Sequence, residues 1–364
     1  MWELLTQTFT IHTFSQGLWA RTIGKKSTYI VDGIIATMCL ACAVIYSGIL
    51  GDVFTPLLAS AGLPPQLNGR TSNIIIITIA LLFPMSLIKN LSALAFTSIL
   101  GFCAIMYTVL FIVIRALDGT YTLGSGKFVT DGVLATLPKF AKSSLWNFDF
   151  TSLVLMSNLG LAYIAHYNGP AFYRELSNTN SKRFTKMVRT SFVVLTCLYI
   201  ITMAAGYSTF GDVCQGNLLL NYHPSDMLST LGRVATGFSI LFGFPLVAAG
   251  AREGVAGFCS GLGYSAVGED KNHALLVASI LVLVTAIACT VTDVSLVVGL
   301  TGAAMGSTIV YIIPAIIYQR AVGLIKGIDS KEHNLSKKNM ALIPFGLAIG
   351  GLGVFMTLKE SMAK

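Results

Sequence analysis

ALLVASILVLVTAIACTVTDVSLVVGLTGAAMGSTIVYIIPAIIY, residues 274–318, holds one charged side chain, Asp293, in forty-five positions. An apolar helix crosses a bilayer in about 20 residues at about 1.5 Å of rise per residue. The stretch is therefore long enough for two crossings, 274–292 and 294–318, turning back near Asp293 with help from Thr292 and Ser295. Scanning outward gives seven further uncharged apolar runs, at 30–51, 72–88, 93–114, 151–173, 190–210, 234–251 and 340–358, and only Asp32 falls within any of them. Asp32 sits in the first turn of its run, where a carboxylate can reach the interface and favours a helix N-terminus. Lipid offers no hydrogen bonds, so each run must be helical unless protein encloses its irregular backbone. The expectation is an all-α membrane protein with nine transmembrane helices.

Composition agrees. Of 364 residues, 54% are hydrophobic and 11% charged, where a soluble domain has about a quarter charged; a soluble enzyme and a disordered chain are both excluded. The net charge of +8 belongs to loops and reports orientation, with no nucleic-acid partner implied. The side holding residues 1–29 carries 16 of the 24 Lys and Arg, which places that segment in the cytoplasm and the C-terminus opposite. Residues 1–29 carry Glu3 and no continuous apolar region before Arg21, and so predict neither a signal peptide nor a span. The long loop 115–150 turns amphipathic around Leu145, Trp146 and Phe148, which predicts a short interfacial helix. Cys39 and Cys42 form a CxxC inside an apolar run, and core packing explains them better than metal or redox chemistry.

No GxSxG, Walker loop or HExxH occurs, so the chain is not read as an enzyme and no cofactor is implied. Segment 151–173 is different. Ser157, Asn158, Gly160, His166, Asn168, Gly169 and Pro170 interrupt it, and a helix broken near the bilayer midplane exposes backbone groups able to hold a zwitterion. Ser157, Asn158 and Gly160 fall near mid-depth, with Tyr163 about one turn on. The alternative is close packing through Gly160 and hydrogen bonds from Ser157 and Asn158 to a neighbouring helix. His166 is either a proton or substrate contact or a buried structural donor.

Four blocks, HYNGPAFYREL (166–176), GYSTFGDVCQGNLLLNY (206–222), KNLSALAFTSILG (89–101) and IYSGILGDVFTPLL (45–58), together resemble the amino acid/auxin permease family over about residues 17–358. The resemblance implies a leucine-transporter-type inverted-repeat fold of eleven spans and secondary transport of an amino acid substrate, with H⁺ or Na⁺ as coupling ion. It implies that 30–114 is the remainder of a first repeat, 151–318 the second and 340–358 a final helix, together the transmembrane transporter domain 30–358. The family's Gly-rich opening helix and the helix after it have no counterpart here, so the fold is expected to be N-terminally incomplete, with an open cleft beside 157–163. The substrate-binding residues it implies are Ser157, Asn158, Gly160, Tyr163 and His166, with Tyr46 and Ser47 on a segment that could face them.

Sodium-coupled relatives place hydroxyls just before the proline matching Pro245. Here Leu241, Phe242, Gly243 and Phe244 stand there, and Ser239 is the nearest hydroxyl and the last substrate-site candidate. Na⁺ takes hard oxygen ligands, by analogy with other hard cations, so coupling to protons or exchange is expected. The alternative function is a transport-inactive member acting as amino acid sensor or partner subunit. Plasma and vacuolar or lysosomal membranes are equally compatible. The orientation carries a test: Asn90-Leu91-Ser92 and Asn334-Leu335-Ser336 are glycosylation sequons on the basic side, away from the lumenal machinery. Both should stay unmodified on expression in eukaryotic cells, and a glycosidase-sensitive mass shift mapped to either asparagine would reverse the orientation.

Overall fold

The computed structural model describes residues 15–60, 62, 64, 67, 69–88, 95–122, 125–130, 152–165, 169, 172–173, 176–178, 180–211 and 214–363, and every regular element among them is helical. The helices of six or more residues are α1 (Ser15–Thr22), α2 (Thr28–Ser60), α3 (Arg70–Ser86), α4 (Ala95–Leu117), α5 (Ser152–Ala162), α6 (Ser181–Phe210), α7 (Met227–Gly261), α8 (His273–Thr290), α9 (Val294–Lys326), α10 (Lys331–Ser336) and α11 (Leu342–Ala363). Seven stretches, carried by α2, α4, α6, α7, α8, α9 and α11, are long and apolar enough to cross a membrane, while α3 and α5 are apolar but shorter. Each apolar run of the sequence overlaps one of these helices, 151–173 only through Ser152–Ala162. The segment around Leu145–Phe148, residues 1–14 and His166 lie outside the described residues.

Helix ends follow local chemistry. Asn180 caps α6 by accepting from the N–H groups of Lys182 (2.8 Å) and Arg183 (3.3 Å), and Asp293 caps α9 through Ser295 N–H at 2.9 Å. Gly327, at φ 89°, takes the left-handed conformation that stops α9. Two wide π-helical segments, Thr78–Leu82 in α3 and Thr308–Ile312 in α9, each end two residues before a proline, Pro84 and Pro314. The wider turn makes room for a ring that would otherwise clash with the carbonyl four residues back.

The centre of the molecule is the antiparallel contact of two long helices, α2 and α7. Gly250, Gly254, Gly257 and Gly261 recur at spacings of four, three and four, which puts them on one face of α7. A Cβ on Gly254 would lie 2.8 Å from the Ala36 nitrogen and 2.9 Å from its Cα. One on Gly250 would meet Cys39 Sγ at 2.8 Å, and one on Gly257 the Asp32 carboxylate at 2.7–2.9 Å. Asp32 is 7% exposed, and the missing Gly257 side chain lets α7 cover it. Around this seam Val31, Met38 and Leu50 of α2, Leu241, Phe244 and Ala251 of α7, Val277 and Val284 of α8, and Ile309 and Ile313 of α9 form one buried core.

In a helix interior, Gly→Ala gains up to about 1 kcal/mol of propensity, and overpacking a tight contact costs about 1–3 kcal/mol. Gly254→Ala meets backbone and should lower the thermal midpoint by a few degrees. Gly243→Ala, whose Cβ would meet nothing nearer than Tyr46 at 3.7 Å, should leave the midpoint unchanged or raise it. Differential scanning fluorimetry of the two purified variants compares them directly.

Candidate functional site

A cavity of about 890 Å³ lies between α4, α5, α6 and α7, with Tyr46 of α2, Val298 of α9 and the segment Gly216–Leu219 completing its wall. Its lining is mainly apolar, including Phe102, Ile105, Leu155, Leu198 and Phe242, and no charged side chain lines it among the described residues. The polar lining groups are Tyr46, Asn158, Tyr199, Thr202, Asn217 and Ser239, together with the Thr108–Thr236 hydroxyl pair at 3.0 Å.

Helix α5 runs unbroken through Ser157, Asn158 and Gly160 and stops at Ala162, so within the interrupted stretch expected over 157–170 the described non-helical residues are Tyr163–Ala165. Tertiary contact explains this. Ser157, 4% exposed, donates from its hydroxyl to Leu153 O at 2.9 Å, and Gly302 of α9 and Gly353 of α11 close directly on its carbonyl and hydroxyl oxygens. Gly160 faces Gly302 and Gly306, which bound a third π segment of α9, Gly302–Gly306. Ser157 and Gly160 therefore sit in a packed seam with α9 and α11. Asn158, one position further round, borders the cavity, and its Oδ1 is buried with no hydrogen-bond partner.

The free C-terminal end of α5 is tied to α6. Tyr199 donates to Ala162 O at 3.0 Å, satisfying a carbonyl that the helix itself cannot, and Tyr163 donates to Thr196 Oγ1 at 2.9 Å while its ring stacks on Phe192. Of the sequence candidates, Tyr46, Asn158 and Ser239 share the cavity; Tyr163 is a tether; Ser47 is buried, its hydroxyl unpartnered.

The outer wall is the most specific block of the sequence. Leu218 seats on Gly206, where a Cβ would come within 2.6 Å of it. Asn217 caps the short turn Leu218–Leu220, its Oδ1 accepting from Leu219 N–H at 3.2 Å. That bond orients the amide and leaves Nδ2 buried without a partner. Sequence reasoning missed Asn217 as a lining residue, although it stands in the quoted block. Beyond it lies a polar chamber of about 340 Å³ bordered by Asp52, Gln215, Thr292, Asp293 and Ser295, and Gly216 and Asn217 line both spaces.

Arg233, 2% exposed, holds this block by donating from Nη2 to Leu219 O (2.9 Å) and Tyr222 O (2.6 Å). Asp226, fully buried, accepts from Arg115 Nε and Nη2 at 2.8 and 2.6 Å and from Tyr121 at 3.0 Å. Burial pushes the Tyr121 and Tyr222 hydroxyls above the ordinary phenol range, so both remain protonated. Breaking one side of a buried pair costs about 3–5 kcal/mol, whereas a solvent-facing pair is worth about 0–1 kcal/mol. Asp226→Asn should therefore lower the thermal midpoint sharply, and Asp118→Asn, removing the 28%-exposed second partner of Arg115, should barely move it; melting curves of the two variants decide.

The model of the family described as transmembrane amino acid transporter protein matches residues 8–362. The chain is 25% identical over 294 residues to vacuolar amino acid transporter 5 of Schizosaccharomyces pombe, which covers 79% of this chain and 65% of that protein. It is 25% identical to rat solute carrier family 38 member 10 over 84% of this chain and 27% of the relative. Against the putative sodium-coupled neutral amino acid transporter 11 of Bos taurus it is 23% identical over 94% of this chain and 70% of the relative. The chain thus spans less than two thirds of the first two of these. With its membrane-crossing helices and a match over nearly its whole length, it belongs to the transmembrane amino acid transporter family and is a multi-pass integral membrane protein.

Proposed function

We propose that the chain is a secondary transporter that carries an amino acid with an uncharged side chain through the cavity between α5, α6 and α7. One observation carries the reading: Asn158 and Asn217 line the same cavity, and each keeps a buried polar atom without a partner, the acceptor Asn158 Oδ1 and the donor Asn217 Nδ2. A zwitterion needs an acceptor for its ammonium and a donor for its carboxylate, and buried polar groups left without partners are costly unless a ligand completes them. The apolar remainder of the wall fits a neutral side chain, since a third charge would be buried unpaired. The names of the relatives, two of them amino acid transporters, point the same way.

The order of helix lengths supports an inverted-repeat reading. Each of the two long helices in contact, α2 and α7, is followed by a shorter apolar helix, α3 or α8, and then by α4 or α9. On this reading 30–114 belongs to one repeat and 151–318 to the other, and α3 and α5 join the seven longer helices as spans, nine among the described residues. Gly216 and Asn217 divide the cavity from the outer polar chamber, which becomes the entry route. Coupling to protons or exchange fits 241–244, where Leu241 and Phe244 turn into the core and no side-chain oxygen is offered. The bovine relative's name includes sodium coupling, so the ion is part of the test.

Proteoliposomes holding the purified chain should take up radiolabelled leucine or alanine at least tenfold faster than lysine or glutamate, and replacing Na⁺ by choline should leave the rate intact. Losing a hydrogen bond to a charged group costs about 1.5–3 kcal/mol, so Asn158→Leu should weaken binding on the order of tenfold to a hundredfold with an unchanged melting midpoint. Saturable binding with no uptake would favour the sensor reading, and no binding would reject both.

A further inference from the structure

The first turns of α6 carry Lys182, Arg183, Lys186 and Arg189, all exposed, and no acidic residue occurs between Glu175 and Asp212. At about 100° per residue, Lys182, Lys186 and Arg189 fall within about 60° of one another, with Arg183 on the flank. Phe184, on the opposite face, is buried with its ring edge-on to Tyr173 at 5.1 Å, which fixes how the helix is turned. Among the described residues none of the four cations pairs with a carboxylate.

What distinguishes this patch from an ordinary solvated basic loop is its register. Continuing the same face along α6 gives Val193 (62% exposed), Ile200 (57%) and Tyr207 (37%), while the opposite face turns Leu195, Leu198 and Thr202 to the cavity. The cations are thus in line with the lipid-facing apolar stripe and directly precede it. Lys182 to Arg189 spans about 10 Å of helix, comparable with the roughly 5–8 Å headgroup layer on each side of the hydrocarbon core. Long basic side chains there can lay their stems along the apolar surface and hold their heads among phosphates.

We propose that this stripe is a binding site for anionic phospholipid headgroups, facing the leaflet that the distribution of Lys and Arg assigns to the cytoplasm. That leaflet is the anionic one, and each Lys or Arg near such a surface gains about fivefold in binding. Four together give on the order of several hundredfold before entropy and screening take their share. The site fixes the end of α6 that lies farthest from the outer loop, and α6 forms one wall of the cavity.

The test uses the full chain in phosphatidylcholine nanodiscs doped with a photoactivatable analogue of either phosphatidylserine or phosphatidylcholine, with adducts mapped by mass spectrometry. The phosphatidylserine probe should label residues 180–193 at least tenfold more than the phosphatidylcholine probe, with the excess falling as salt rises. Lys182→Gln, Arg183→Gln, Lys186→Gln and Arg189→Gln combined should abolish the excess, and the single changes should lower it stepwise, each at the wild-type melting midpoint in phosphatidylcholine. Lys331→Gln, Lys337→Gln and Lys338→Gln combined, a control on the same side, should keep it. Equal labelling by the two probes, or an excess that is unchanged in the folded single variants, would overturn the proposal.

Discussion

The close approach of α2 to α7 is the constraint on which the other helices depend. Lipid tails are as apolar as leucine, so burying apolar surface gives little reason for two membrane helices to associate; van der Waals contact must do it. Glycine at 250, 254, 257 and 261 removes the atoms that would hold the backbones apart, and Ala36 and Cys39 opposite are small enough to use the space. Once α7 is fixed along that face, its other faces are assigned. Leu241 and Phe244 turn into the core, and Ser239, Phe242 and Gly243 are left on the cavity.

The polar groups obey the same solvent. Arg115, Asp226 and Arg233 are far apart in sequence or in different elements, yet each finds a partner at the ends of α4 and α7, where a loop folds over the helix ends. That network gives Gly216–Leu219 a defined position. Asn158 Oδ1 and Asn217 Nδ2 are left without partners, as are the Tyr222 hydroxyl and Arg233 Nε, whereas Asp226 and the Leu219 and Tyr222 carbonyls are satisfied.

Much of this was legible in the sequence, and the misses have identifiable causes. A scan for uncharged runs finds the helices but ends each at the first charge: it stops at Ala251, while α7 continues through Arg252 and Glu253 to Gly261, because backbone hydrogen bonding is indifferent to whether a side chain has reached the interface. Ser157, Asn158 and Gly160, which have poor helix propensity, are among the residues that interrupt 151–173 in the sequence. Packing of Ser157 and Gly160 against glycines 140 residues or more away keeps 157–160 helical, and only tertiary structure reveals those partners. Asn217 could be found as part of a block but not as a neighbour of Asn158, since a distance across two helices leaves no local pattern.

The packing divides the helices around the cavity into two groups. Helix α5 packs on α9 and α11 through Ser157, Gly160, Gly302, Gly306 and Gly353, while α7 packs on α2, α4 and α8. The cavity is the space between the groups, and α9, which also contacts α2, reaches both. In α9 the two π segments, Gly302–Gly306 and Thr308–Ile312, lie back to back, so the helix is weakest in hydrogen-bond geometry at and just beyond its contacts with α2 and α5. Under the proposed transport cycle one group must rock against the other. A continuous α-helix at this point would resist such a motion along its whole length, whereas paired π turns confine the change in backbone angles to a few residues beside the cavity.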